Sequence, residues 1–190
     1  GFLGNPTDWE KILTTQINSS ELNSIFCNLY DASFSPPEQG LVSWGDRFNA
    51  FAEKTANTPR YLIGYSLGGR LGLHALTQSP SLWHAAIFVS THPGLPLKDR
   101  SIRAEQEAKW AQAFQSEPFP NLLKMWNAQP LFGNTPFPSP RLFHDLDRPL
   151  LVSSLQHWSL SCQDLLQTAL AKIPLPILWV VGQRDAQCYR

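Results

Sequence analysis

The sequence carries no surplus of charge: fifteen lysines and arginines stand against fifteen aspartates and glutamates, for a formal net charge of +0. A balanced chain has no general attraction for nucleic acid or an anionic membrane, so recognition must come from local features. Cysteine is scarce, with three residues. Cys27, Cys162 and Cys188 are odd in number and far apart, which fits neither a disulfide framework nor a metal-binding spacing and makes a reducing, cytoplasmic setting the expectation. Long apolar runs are missing as well. The longest, "LIGYSLGG" and "PILWVVG", fall well short of the ~18 residues needed to span a bilayer. There is no internal repeat, low-complexity tract, metal-ligand cluster or glycine-rich phosphate loop. No cofactor, metal, nucleic acid or membrane partner is therefore expected.

What is present is an alternation of apolar strands and amphipathic helices over 190 residues, enough for one compact domain or one domain with a modest insertion. "GFLGNPTDW" reads as a loop leading into a helix capped at Thr7. "SIFCNLYD" (24–31) has the apolar look of a buried strand. Leu41, Trp44, Phe48 and Phe51 recur at helical spacing between about 41 and 56. "RYLIGY" is a strand entering a helix from Leu67 to about Gln78, "WHAAIFVS" (83–90) is another strand, and "LPILWVVG" (175–182) reads as a fully buried one. Strands apolar along their whole length indicate a parallel sheet covered on both faces. The expected fold class is thus α/β. Its first part is 1–95, a helical lid insertion occupies 96–171, and the sheet resumes at 172–190 with an acid-bearing loop.

Chemistry concentrates in "GYSLG", a match to G-x-S-x-G, in which a serine sits on a sharp turn between strand and helix. Gly64 and Gly68 are expected to make room for that turn. Ser66 is then held out at the carboxyl edge of the sheet, with the backbone N–H of Leu67 free at the helix start to serve an oxyanion hole. A serine hydroxyl is a weak base and a weak nucleophile unless a histidine, oriented by a carboxylate, takes its proton. In the chain order Ser, acid, His, Asp185 fits the acid, following "PILWVVG" in a loop at the same edge. No histidine follows it. His74, His84, His92, His144 and His157 all precede the acid, and each is read as structural or surface rather than catalytic. The chain therefore reads as a fragment truncated at both ends, expected to be inactive as it stands. Arg70 lies four residues after Ser66 on the same helical face, where its planar fork can reach a carboxylate at the serine.

"GFLGNPTDW", "GYSLGGR", "THPGL", "RAEQEAKWAQAFQSEP", "MWNAQPLF" and "VVGQRD" together resemble the 2-succinyl-6-hydroxy-2,4-cyclohexadiene-1-carboxylate synthases, lyases of the α/β-hydrolase fold in menaquinone and phylloquinone biosynthesis. The resemblance runs over the whole chain with a weak stretch at roughly 133–150. It implies a small-molecule polycarboxylate substrate, Ser66 as the base that eliminates pyruvate, and Phe2 as the second oxyanion donor beside Leu67. Arg70 becomes a carboxylate clamp. Arg103 is implied as the second, with Arg100 on the same helix face as the alternative and a solvent ion-pair partner otherwise. Arg148 is implied as the third, with Arg141 the alternative. Trp126 and Tyr65 are implied as pocket walls. One departure is clear: where relatives carry "D-x-P-G-H-G", this chain has "YDASFSPP". Two other readings stand beside the lyase. A serine esterase or carbon–carbon bond hydrolase would use Ser66 as a nucleophile and be indifferent to Arg70 and Arg103, and a non-catalytic binding relative would need no histidine.

Overall fold

The computed structural model describes residues 1–4, 6–9, 23–31, 33–55, 58–132, 147–183 and 185. Three parallel strands form the sheet in the order β1 (Tyr61–Tyr65), β2 (Ala85–Val89) and β3 (Ile177–Val180). Tyr65 stands opposite Val89, and Val89 opposite Val180, so all three strands end level at one carboxyl edge. Ser66 follows β1, His92 lies in the segment after β2 and Asp185 in the segment after β3, at that edge.

Helix α1 (Gly40–Thr55) buries Leu41, Trp44, Gly45, Phe48, Asn49 and Ala52 at spacings of three and four, one stripe of a helix. Helix α2 (Leu67–Gln78) buries residues on nearly every side, as the helix between α1 and the sheet must. Stacked rings of Trp44, Phe48 and Trp83 fill the layer between them. Asn49, buried in that layer, donates to the Ala75 carbonyl at 2.8 Å and accepts from the Trp83 indole at 3.1 Å.

Between β2 and β3 the described residues hold helices and no strand: α3 (Leu97–Ser116), α4 (Phe119–Asn127), α5 (Arg148–His157) and the short α6 (Gln167–Leu170). Asp147 caps α5, accepting the N–H of Leu150 at 3.2 Å. A second apolar cluster, with Leu3, Phe114, Leu122, Leu151 and Leu155 buried in it, joins α3, α4 and α5 to the N-terminal turn. None of the helices is long and apolar enough to cross a membrane.

Three expectations from sequence need correction. Residues 24–31 form no strand: the Leu29 carbonyl is taken by the Trp44 indole at 3.0 Å, and Asn28 and Asp31 turn their side chains onto the backbone N–H groups of Tyr30 and Ser33. Local side-chain acceptors have replaced a ladder. The sheet is also covered on one face only among the described residues. Leu62, Ala86 and Phe88 are buried against the helices, while Tyr61, Ile63, Tyr65, Leu178 and Val180 on the opposite face are exposed. Accordingly β3 is not fully buried, and Leu178 is 57% exposed. Of the N-terminal helix, residues 7–9 are helical and the remainder lies outside the described residues, as do Cys188, His144 and Arg141.

Candidate active site

Strand β1 ends at Tyr65 and helix α2 begins at Leu67, so a single residue turns the chain. Ser66 does it at φ 52° and ψ −119°, a backbone state that costs a non-glycine residue about 1–3 kcal/mol. A serine at a helix start normally accepts a hydrogen bond from an N–H of the first turn. Ser66 makes no such bond. Its backbone is held from both sides instead, its N–H donating to the Val89 carbonyl at 3.0 Å and its carbonyl accepting from Arg70 at 3.0 Å. The hydroxyl is thus kept out of the capping role and available at the sheet edge, beside the Leu67 N–H, one of the first-turn donors that a helix cannot satisfy internally.

Glycines permit this turn, though not the pair the motif suggested. A Cβ on Gly64 would stand 2.6 Å from the Gly69 Cα, and one on Gly69 would run into the side chain of Thr91. At Gly68 the nearest atom is Leu29 Cδ2 at 3.6 Å, an ordinary contact. The steric demand falls on Gly64 and Gly69, where α2 crosses the end of the sheet.

The N-terminal turn closes over the serine. Gly4 donates to the Gly1 carbonyl at 2.9 Å, and a Cβ on Gly1 would lie 3.1 Å from Tyr65 Cε1 and 3.5 Å from Ser66 Cβ. Phe2 is the next residue, so its backbone lies beside the serine turn. Its ring extends the other way, meeting Phe114 edge-on at 5.3 Å and Trp126 at 4.9 Å. Trp126 also meets Trp110 at 4.8 Å. It is half-buried in this aromatic cluster, which ties α3 and α4 to the turn over Ser66.

Arg70 points from α2 toward the segment leaving α5. Its Nη1 donates to Gln163 Oε1 at 3.3 Å, and the Gln163 amide nitrogen donates in turn to the His92 carbonyl at 3.0 Å. Burial pulls the Arg70 guanidinium down to about 10, still fully charged at neutral pH; Glu107 opposes that shift and Arg103 reinforces it. Arg103, on α3, is paired to Glu107 one turn along, its Nε and Nη2 reaching Glu107 Oε1 at 2.8 and 2.7 Å. Arg100 donates to the Leu95 carbonyl at 3.1 Å rather than to a solvent-facing acid. The structure therefore brings Arg70 and Arg103 into one electrostatic neighbourhood.

Arg148 is engaged elsewhere. It donates to the carbonyls of Phe114 and Glu117 at the end of α3, lies 5.0 Å over the Phe119 ring, and lines a pocket of about 500 Å³ with Glu38, Gln115 and His157. None of its contacts is with Ser66, Arg70 or Arg103. Asp185 follows β3 in a tight turn, its N–H donating to Gly182 at 2.8 Å. Burial, with Arg70 and Arg103, holds the His92 imidazole below its ordinary range while Asp185 pulls the other way, so the fields of all three charged side chains reach His92. His92 Nδ1 accepts from Gly94 at 3.2 Å, which leaves Nε2 to carry the proton of the neutral ring.

Two side chains at this edge escaped the sequence reading. Gln163 is fully buried and bridges Arg70 to the loop after β2; nothing in its local sequence marks it. Glu107 is 7% exposed and accepts from Ser159 as well as Arg103. Its position four residues after Arg103 was a legible signal of pairing. Its burial was not.

Comparison with known proteins adds a lineage. Residues 1–189 match the model of the alpha/beta hydrolase family. The 2-succinyl-6-hydroxy-2,4-cyclohexadiene-1-carboxylate synthase of Enterobacter sp. (strain 638) is 33% identical over 138 residues, covering 66% of this chain and 50% of that protein. The protein of the same name from Escherichia coli O1:K1 / APEC is 30% identical over 132 residues, covering 67% and 52%. The chain thus spans about half the length of the curated relatives it matches. Among solved structures, MenH from S. aureus superimposes with a TM-score of 0.76 at 16% identity over 99% of this chain and 76% of that one. Rv0554 from Mycobacterium tuberculosis gives 0.59 at 15% identity over 99% and 71%. At such identities these structures speak for the fold alone.

Proposed function

The chain belongs to the alpha/beta hydrolase family, and from that premise we propose that it serves menaquinone or phylloquinone biosynthesis as a carbon–oxygen lyase. The reaction would convert 2-succinyl-5-enolpyruvyl-6-hydroxy-3-cyclohexene-1-carboxylate into 2-succinyl-6-hydroxy-2,4-cyclohexadiene-1-carboxylate and pyruvate. The names of the sequence relatives support this reading. The observation that carries it is the placement of a partly buried, charged Arg70 one helical turn from Ser66, with Arg103 close enough to shift it. A hydrolase acting on apolar esters has no use for such a pair, whereas an enzyme with a carboxylate-bearing substrate does.

In this reading the Ser66 oxygen, activated through a histidine that Asp185 orients, removes the proton next to the succinyl carbonyl. Negative charge moves to the carbonyl oxygen, where the N–H groups of Leu67 and Phe2 hold it. The C–O bond to the enolpyruvyl group then breaks, the electrons leaving as pyruvate enolate, which is protonated to pyruvate. Water is not consumed and no acyl-serine forms. Arg70 and Arg103 serve as carboxylate clamps for the substrate, while Tyr65 and Trp126 wall the pocket. Arg148 joins them only by giving up its two carbonyl contacts at the end of α3, so it is the weakest member of the set.

Pyruvate release by the full-length protein tests the proposal. Ser66→Ala is expected to lower kcat by about 10³-fold, within the range for loss of a general base. Arg70→Ala is expected to lower kcat/KM by roughly 10- to 100-fold, the equivalent of one charge-assisted hydrogen bond. Hydrolysis of an activated ester through a trapped acyl-serine, with no pyruvate released, would give the site to the hydrolase reading.

A further inference from the structure

The two arginines at the carboxyl edge are anchored by opposite means. Arg70 is held by the amide of Gln163, which carries no charge and is itself fully buried and spanned to the His92 carbonyl. Arg103 is held by a carboxylate that is nearly as well buried, Glu107, whose second oxygen accepts from Ser159. The field of Glu107 also reaches Arg70, opposing the mutual repulsion of the two guanidinium groups. Of the other titratable groups that face this cluster, Tyr30 and Cys162 act on Arg70, while burial and Arg70 together hold the imidazoles of His74 and His92 below their ordinary range, where Asp164 and Asp185 respectively oppose them.

Two cations and one anion leave the cluster with a single net positive charge. A carboxylate buried on the lid-side helix, with both its oxygens occupied, is a costly way to make an ordinary i,i+4 pair, since desolvation opposes it. It makes sense as a counter-charge. We propose that Glu107 is a specificity-determining positioning residue: by neutralising one of the two arginines it limits the Arg70–Arg103 cluster to one substrate carboxylate and holds the Arg103 fork in place to receive it. This rests on the lyase reading for the identity of the substrate, but not for the binding of carboxylate itself. The remaining carboxylates of a polycarboxylate substrate must then be met outside this cluster.

The test uses simple carboxylates, so that it reads out whether or not pyruvate is released. Binding of succinate and of butyrate to the full-length protein is followed by ligand-observed NMR at low ionic strength. The wild-type protein is expected to bind the two within about threefold of each other, since the second charge of succinate finds no unneutralised partner. Glu107→Gln keeps one oxygen to accept from Arg103, with its amide nitrogen donating to the Ser159 hydroxyl in place of the lost acceptor, and removes the charge; it should bind succinate about tenfold tighter than wild type, with the gain shrinking in 0.5 M salt as screening predicts. A mere structural salt bridge would give a less stable protein with unchanged or weaker succinate binding, and that result overturns the proposal. Should Glu107→Gln fail to fold, the wild-type ratio decides alone: a preference for succinate of tenfold or more overturns it. Failure of the lyase reading shows separately, as carboxylate binding that follows these rules in a protein that releases no pyruvate.

Discussion

Around Ser66 the chain is constrained backbone against backbone, with Gly64 lying against Gly69, Gly69 under Thr91, and the Ser66 amide tied to β2. Between α3, α4 and α5 the constraint is side chain against side chain: Phe114 and Leu122 are fully buried, Trp126 sits among aromatic rings, and a guanidinium is paired with a buried acid. The first kind of contact tolerates no added atom. The second is graded, and it can be loosened without undoing the sheet. On the proposed reading, Ser66 sits on the first part and the arginines are divided, Arg70 on α2 beside the serine turn and Arg103 on α3 in the second part.

The sharpest way to break this comparison is to add one methyl group on each of three glycines. Gly64→Ala and Gly69→Ala push a Cβ into backbone or into a buried threonine, and each is expected to destabilise by about 4–5 kcal/mol or to prevent folding. Gly68→Ala, one residue away, meets only ordinary contact and gains helix propensity, so its midpoint in urea should stay level or rise slightly. Equal losses at all three positions would mean that the turn is not defined as described.

The next effect lies in the helical region. Phe114→Ala removes a fully buried ring that contacts both Phe2 and Trp126, and should cost about 3–5 kcal/mol. Its signature is the place where it acts. Hydrogen exchange should quicken in α3 and α4 and in the N-terminal turn, while β1 and β2 keep their protection. Uniform loss across the sheet would show that the two regions unfold as one.

The smallest effect concerns His74 on the buried side of α2, which is 4% exposed and has an Nε2 without a partner among the described residues. Burial, helped by Arg70, lowers it from the ordinary 6.5 to about 4. Between those values the unfolded chain binds the proton more readily than the folded one, so stability is lost as pH falls from 6.5 toward 4 and is fully present above 6.5. The loss reaches roughly 3 kcal/mol at most. Urea unfolding at pH 7.5 and at pH 4.5 measures it, and His74→Leu should remove that share of the acid sensitivity while leaving the helical region's response intact.

Much of this architecture could be read in the residues before any coordinates. The strands 61–65 and 85–89, the helix from Leu67 to Gln78 and the serine turn between them follow from apolar runs, glycine placement and a five-residue pattern, all of which act over a few residues of chain. Where the reading failed, the missing information was non-local. Residues 24–31 look like a strand by composition, yet Asn28 and Asp31 supply local acceptors and the Trp44 indole takes the Leu29 carbonyl from another element. The motif nominated Gly68, but which glycine is irreplaceable depends on what lies opposite, and that is Thr91 on a different strand end.

The sequence by itself determined the sheet order's raw material, the serine at a strand-to-helix turn, and an arginine on the same helical face, because each depends on chain geometry within one or two helical turns. Only the tertiary structure decided how the arginines are used. Arg70 meets Gln163 across 93 positions of sequence, Glu107 meets Ser159 across 52, and Arg148 is spent on the end of α3. Whether a cation is free to bind a carboxylate is a matter of which groups surround it in space, and residues so far apart in the chain acquire that relation only when the helices close over the sheet.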